Sequence, residues 1–239
     1  MSNLSSPVLP QHIAIIMDGN RRWAKKRLMP AAVGHAAGAQ RVRDIVKMCA
    51  ELGIAQLSLF AFSTENWKRP EDEVSSLMNL FMIYLKKEIH SMNSNGVRLK
   101  VLGDTSRFSA PLQALIAMAE EKTAGNQAIT LNVCANYGGR WDMVQATKAW
   151  QRAHPDLPLD ALTEESLAPY LSTADAPEVD LLVRTGGESR ISNFMLWQAA
   201  YAEMFFCEDL WPDFTEEKLQ QAIQWFSKRD RRFGSSAPL

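Results

Sequence analysis

Cysteine is scarce in this chain. The three present, Cys49, Cys134 and Cys207, are odd in number and sit among apolar neighbours. No CxxC pair occurs, which excludes the common zinc and dithiol redox sites and predicts core thiols in a reducing compartment. An excess of charge of either sign is also missing: 26 basic residues face 27 acidic ones, a net charge of -1. That balance gives no footprint for nucleic acid, so any anion binding rests on local basic clusters. No apolar run approaches the roughly 20 residues of a membrane span. Met1 to Pro10 is polar and lacks the apolar core of a signal peptide. Internal repeats, low-complexity tracts and interdomain linkers are lacking as well. These absences predict a cytoplasmic chain, at most peripheral at a membrane. Its 239 residues suffice for one large domain with a substantial core.

What is present is organised around His12 to Trp23. The short apolar run HIAIIM reads as a buried strand that ends on Asp18. Gly19 and Asn20 read as a tight turn, because both tolerate left-handed backbone. Arg21, Arg22, Trp23 and Ala24-Lys25-Lys26 then read as the opening of a helix. A carboxylate at a strand end thus meets arginines and the free N–H groups of a helix start. Helix starts and arginines both bind phosphate. A carboxylate among phosphate binders suggests Mg²⁺, a hard cation shared between protein carboxylate and substrate phosphate oxygens.

The remainder alternates strand and helix. A loop over 27–35, broken by Pro30 and Gly34, precedes a helix from about Ala36 to Leu52. Strands are expected near 54–62, 97–102, 129–135, 179–183 and 202–207. Helices are expected near 70–93, 109–124, from the stretch 136–141 to about 154, near 194–200 and near 215–227, with a polar, proline-bearing stretch and a short helix over 155–178. The helix from Pro70 carries Met78, Phe81, Met82 and Leu85 in a broad apolar stripe. Such a stripe is ordinarily core, but its methionines also suit an adaptable apolar cavity. The expected fold is α/β: one domain, a central, mostly parallel six-stranded sheet flanked by helices, with 1–11 as leader and 235–239 as tail.

Right-handed crossovers bring the strand ends to one edge of such a sheet. That edge gathers Asp18, the loop Ser63 to Arg69, the loop Asn136 to Arg140, and Arg184 to Ser192. Arg22, Arg69, Arg184 and Arg190 supply enough positive charge for two diphosphates. No nucleotide motif accounts for it: G-x-x-x-x-G-K-S/T and G-x-G-x-x-G are both absent. The DDxxD signature of trans-type prenyl diphosphate synthases is absent too. Read as bland structure, His12 is a core histidine, Arg140 pairs with Asp142 or another carboxylate, and the basic tail is a solvated face.

MDGNRRWAKK, GH at 34–35, FSTENWKRP, GDTSRF at 103–108, NYGGRWD at 136–142, RTGGESRISNF at 184–194, WQAAYAE at 197–203 and WPDF at 211–214 closely resemble the cis-prenyltransferase family. The resemblance runs from about 12 to 234, with the family's main motifs in order. It implies a hydrophobic tunnel in the fold and repeated condensation of isopentenyl diphosphate onto farnesyl diphosphate. The implied product is undecaprenyl diphosphate, the lipid precursor of bacterial cell-wall carriers. By the same resemblance Asp18 binds Mg²⁺, and Glu203 is the second magnesium carboxylate. Gly19, Asn20, Arg21, Arg22 and Trp23 surround the allylic diphosphate, with His35 beside it. Ser63, Thr64, Glu65, Trp67 and Arg69 border the substrate, and Asn66 helps remove the proton. Arg184, Arg190, Ile191 and Ser192 hold isopentenyl diphosphate. Ile129 sits near where the family closes its tunnel, and Arg232-Phe233-Gly234 resembles a segment that reaches the partner subunit of a homodimer.

Two positions depart from the pattern. Many relatives carry Arg where Ala31 stands and His where Ser189 stands; Arg21, Lys25 or Arg27 are candidates to supply the missing charge at 31. Two other readings remain: a cis-prenyltransferase of different product length, or a non-catalytic partner subunit of the same fold. Asp18, Asn66 and Glu203 speak against the second, since such subunits tend to lose them.

Overall fold

The computed structural model describes residues 8–231. Strand β1 (His12–Ile16) is buried at all five positions, the pattern of a strand covered on both faces. Beside it run β2 (Gln56–Ser63) on one side and β5 (Leu181–Arg184) on the other, both parallel to it. With β3 (Val97–Leu102), β4 (Ile129–Tyr137) and β6 (Glu203–Phe206) they form a six-stranded sheet in the order β3-β4-β2-β1-β5-β6. Every pairing is parallel, so the sheet is parallel throughout rather than mostly so. After β1 the chain first builds outward through β2, then returns to the other side of β1 with β5. The crevice at that reversal, at the carboxyl ends of β1 and β5, is where open α/β sheets take ligands.

The longer helices are α2 (Ala31–Glu51), α3 (Glu71–Ser94), α4 (Ala110–Thr123), α5 (Gly139–Ala153) and α7 (Glu216–Phe226); α1 (Asn20–Lys26) and α6 (Glu164–Leu167) are short. Glu71, Asp72 and Glu73 fill the first turn of α3, where acidic side chains favour the helix dipole. Among the described residues no helix is long and apolar enough to cross a membrane. Cys49 and Cys134 are buried, and burial pushes the Cys49 thiol up to about 12.

Two local expectations fail. Helix α2 begins at Ala31, not near Ala36, with Pro30 at its N-cap. Gly34 is no breaker here: a Cβ at that position would stand 2.1 Å from the Asn20 carbonyl oxygen, so glycine lets α1 lie against α2. The expected helix over 194–200 is a run of turns. Ser192, Asn193 and Met195 all take positive φ (49°, 64° and 43°), which no right-handed helix accommodates. The core still claims the segment, because Phe194 stacks on Phe60 with ring centroids 4.4 Å apart.

Candidate active site

Past the end of β1, Gly19 takes φ 114° and turns the chain into α1. The turn presents Asp18 with a cation on each oxygen. Arg22 Nη2 lies 3.0 Å from Oδ1, and Arg184 Nη2 lies 3.0 Å from Oδ2. Thr185 Oγ1 donates to the Asp18 carbonyl at 2.7 Å and fixes the backbone beneath. Arg184 is almost fully buried at the end of β5. It also donates to Ser192 Oγ at 2.8 Å and to the Arg190 carbonyl. The Arg190 guanidinium itself is exposed and paired with Glu188. So the backbone of Arg190, not its charge, meets Arg184, and Ile191 is half-buried between Arg190 and Ser192.

The loop after β2 is one turn of 3₁₀-helix, Thr64–Lys68. Asn66 Oδ1 accepts from the Ser63 N–H at 3.1 Å and closes that turn. Trp67 Nε1 donates to Asn136 Oδ1 at 2.8 Å. Glu65 Oε1 accepts from Asn193 Nδ2 at 3.0 Å. Burial raises the Glu65 carboxyl, but hydrogen bonds from Asn193, Ser63 and Thr64 outweigh it and hold the group below its ordinary range. Glu73, at the start of α3, takes both Arg21 at 3.0 Å and Arg69 at 2.9 Å. Burial first, then Arg69 and Arg21, hold the His35 imidazole below its ordinary value.

Two cavities meet in this region. One, of about 680 Å³, is walled by Asp18, Gly19, Asn20, Arg21, Arg22, Lys25, Ala31, His35 and Arg69. The other, of about 620 Å³, runs between α2, α3 and the face of β2, β3 and β4, lined by groups such as Val42, Val46, Leu77, Met78, Phe81 and Leu131. They share Met17, Asn20 and His35. Asn20 Oδ1, His35 Nε2 and Arg184 Nε are buried here without a hydrogen-bond partner in the protein, which leaves them to water or a ligand.

Some expected site residues lie elsewhere. Trp23 is drawn outward, with Nε1 on Asp213 Oδ1 at 2.7 Å and Arg27 over its ring at 4.1 Å, so it lines neither cavity. Met82 and Ile129 also line neither, although Ile129 pairs with Val97, which does. Glu203 opens β6 opposite Leu181, while Arg184 lies opposite Phe206. It therefore stands at the far end of the sheet from Asp18 and bonds Arg229 Nε at 3.2 Å; one protomer does not bring the two carboxylates together. Arg140 is not Asp142's partner: Asp142 is buried among Tyr137, Ser172 and Gln198. Arg232-Phe233-Gly234 lies outside the described residues.

Sequence reasoning missed Glu73 and Asn193, and it placed the loops of Asn136 and Thr185 at the site without giving either residue a role of its own. Asn136 and Asn193 left one usable signal, asparagine where the backbone turns left-handed, at the end of β4 for Asn136 and in the loop after β5 for Asn193.

For a metal, the described residues offer no group of three or more His, Cys, Asp or Glu. A dedicated protein cage is thus absent among them. Asp18 alone fits Mg²⁺, which is commonly bound through one or two carboxylates and substrate phosphates.

A family model described as "Putative undecaprenyl diphosphate synthase" matches residues 16–234. The chain belongs to this family. It is 53% identical over 235 residues to a ditrans,polycis-undecaprenyl-diphosphate synthase ((2E,6E)-farnesyl-diphosphate specific) of Vibrio vulnificus, covering 98% of this chain and 94% of that one. The Pseudomonas aeruginosa protein of the same description is 52% identical, covering 96% and 92%. Among solved structures, lavandulyl diphosphate synthase from Lavandula x intermedia, in complex with dimethylallyl diphosphate, superimposes with a TM-score of 0.91 at 34% identity, covering 96% of this chain and all 100% of that one. A "probable undecaprenyl diphosphate synthase" from Campylobacter jejuni gives 0.81 at 36%, with the same coverage.

Proposed function

We propose that this chain is a cis-prenyltransferase that condenses isopentenyl diphosphate repeatedly onto farnesyl diphosphate to give undecaprenyl diphosphate. The observation that carries the reading is the junction of the two cavities at Met17, Asn20 and His35. A basic chamber opening into an apolar one suits a ligand with an anionic head and a long hydrocarbon tail. The names of the relatives, farnesyl-diphosphate-specific undecaprenyl diphosphate synthases, supply the substrate and product.

In each cycle the bond between the allylic carbon and its diphosphate oxygen breaks, and the electron pair leaves with the oxygen. The double bond of isopentenyl diphosphate supplies the pair for the new carbon–carbon bond, and a proton is lost. Arg21, Arg22 and Arg69 face the departing diphosphate and stabilise its charge, the electrostatic term that dominates such transfers. Magnesium held at Asp18 would add to that neutralisation. Arg184, with Ser192 beside it, supplies the charge for the second diphosphate. Asn66 is a poor base and its amide oxygen already caps the loop, so it orients the substrate and the released diphosphate takes the proton. The same resemblance brings a homodimer, Glu203 as a metal ligand and at most peripheral membrane contact into this reading.

Incubation with radiolabelled isopentenyl diphosphate, farnesyl diphosphate and Mg²⁺, with products sized by chromatography, tests it. Undecaprenyl-length product is expected; no incorporation from farnesyl diphosphate would refute the reading.

A further inference from the structure

The cations around the basic cavity are not equivalent. Arg21 and Arg69 share Glu73, and Arg22 is held by Asp18 and by the Gly186 carbonyl at 2.7 Å. Lys25 lines the same cavity and has no carboxylate partner among the described residues. It follows Arg21 by one turn of α1, so the two share a helix face. Arg27 cannot take its place, since it stacks on Trp23 and pairs with Asp213 at 3.2 Å.

Across the cavity stands the first turn of α2. No side chain caps this 21-residue helix and no acidic residue occupies its first turn. Its leading N–H groups and the positive end of its dipole are therefore uncompensated by side chains. Ala31 and His35, one turn apart, both line the cavity, and His35 Nε2 is buried there without a partner. The methyl group of Ala31 leaves this turn open, where an arginine side chain would overlie it.

We propose that Lys25, acting with the open first turn of α2, holds the distal phosphate of the allylic diphosphate in this chain. This assignment rests on reading the basic cavity as the allylic diphosphate site. A lysine ammonium suits the role, as a compact point charge on a flexible stem that needs no planar match. No ion pair of Lys25 has to break when the anion arrives. Ala31 and Lys25 are then two halves of one solution: the charge absent from position 31 is supplied from α1.

The test uses four variants of the full chain: Lys25→Ala, Lys26→Ala, Ala31→Arg, and Lys25→Ala with Ala31→Arg. Losing one charge-assisted contact should raise KM for farnesyl diphosphate about tenfold to a hundredfold in Lys25→Ala, with KM for isopentenyl diphosphate near wild type. Lys26 does not line the cavity, and its variant should keep both KM values. Ala31→Arg should restore most of the affinity lost in Lys25→Ala and gain much less in the wild-type background, the non-additivity of groups that share a ligand. Calorimetric titration with inorganic diphosphate reads the same contact without turnover and should weaken in parallel. A Lys25→Ala protein with wild-type circular dichroism, KM for farnesyl diphosphate and diphosphate affinity would overturn the assignment. So would a failure of Ala31→Arg to restore either. A wild-type chain that binds diphosphate but never extends farnesyl diphosphate would instead sink the functional reading, and the titration would still decide on Lys25.

Discussion

Arg184 and Asp18 come from strands β5 and β1, and their side chains meet with Nη2 3.0 Å from Oδ2. This contact joins the two proposed diphosphate regions into one charge network, because Arg22 holds the other oxygen of Asp18. Arg184→Ala should therefore disturb both substrates. Asp18 retains Arg22, so the loss is that of one charge-assisted contact, about 1.5–3 kcal/mol in kcat/KM. Arg184→Lys keeps the charge but cannot bridge Asp18, Ser192 and the Arg190 carbonyl together, and should recover only part. Steady-state kinetics against each substrate decides; full recovery by lysine would mean that charge alone matters.

Removing the carboxylate is the reciprocal change. Asp18→Ala leaves Arg22 and Arg184 facing one another and takes away the residue that fits magnesium. Turnover should fall at least about a hundredfold while the fold persists, the scale of one electrostatic stabiliser lost. Chelation of divalent cations should silence the wild type, with recovery on adding Mg²⁺. A folded Asp18→Ala of near wild-type turnover would end the role.

Product length should respond to the walls of the apolar cavity. Ala39 and Ala61 line it, so Ala39→Leu or Ala61→Leu should shorten the products. Leu131→Ala should lengthen them. Ile129 lies outside the lining but pairs with Val97, at the cavity's end. Ile129→Ala should cost about 2–5 kcal/mol of stability as a core truncation. Longer products from it would place the floor one rung beyond Leu131. Chromatography and melting temperature on the same samples separate these outcomes.

Stability should fall in mild acid. Burial holds both His12 and His35 below the ordinary value of 6.5. The unfolded chain then binds these protons at higher pH than the folded one does, so stability rises with pH through that window. Their contribution is fully present above 6.5 and is lost as pH drops below it. Urea midpoints measured from neutral pH down to about 5 should show the decline, and His12→Gln should flatten it.

Leu28 is 96% exposed and takes φ 55°. Its side chain buries almost nothing, while left-handed backbone strains a leucine by about 1–2 kcal/mol. Glycine relieves that strain and gives back about 0.5–1 kcal/mol through the freer unfolded chain. Leu28→Gly should thus raise the denaturation midpoint by a gain of roughly 0.5–1 kcal/mol. An unchanged or lower midpoint would show that the residue is not strained.

The strands and most helices were legible because burial writes itself into period and composition. HIAII reads as a buried strand, which the structure covers on both faces, and the acidic start after Pro70 reads as a helix start, which α3 bears out. The motifs carried the family, and the strand ends carried Asp18, Arg22, Arg69 and Arg184 to one edge. The segment 194–200 misled, since its composition favours helix while positive φ at Ser192, Asn193 and Met195 forbids it.

The sequence by itself determined the α/β order, the family and the inventory of charged groups, because periodicity, turn residues and motif spacing are local properties of the chain. Tertiary structure alone decided how those charges are shared. Glu73 takes Arg21 and Arg69, Asp213 takes Trp23 and Arg27, and Arg229 takes Glu203 at the far end of the sheet. Apart from Arg69 and Glu73, which are four residues apart, each is a pairing between elements distant in sequence, set by strand order and register. Electrostatic partners follow distance in space, which no linear spacing encodes.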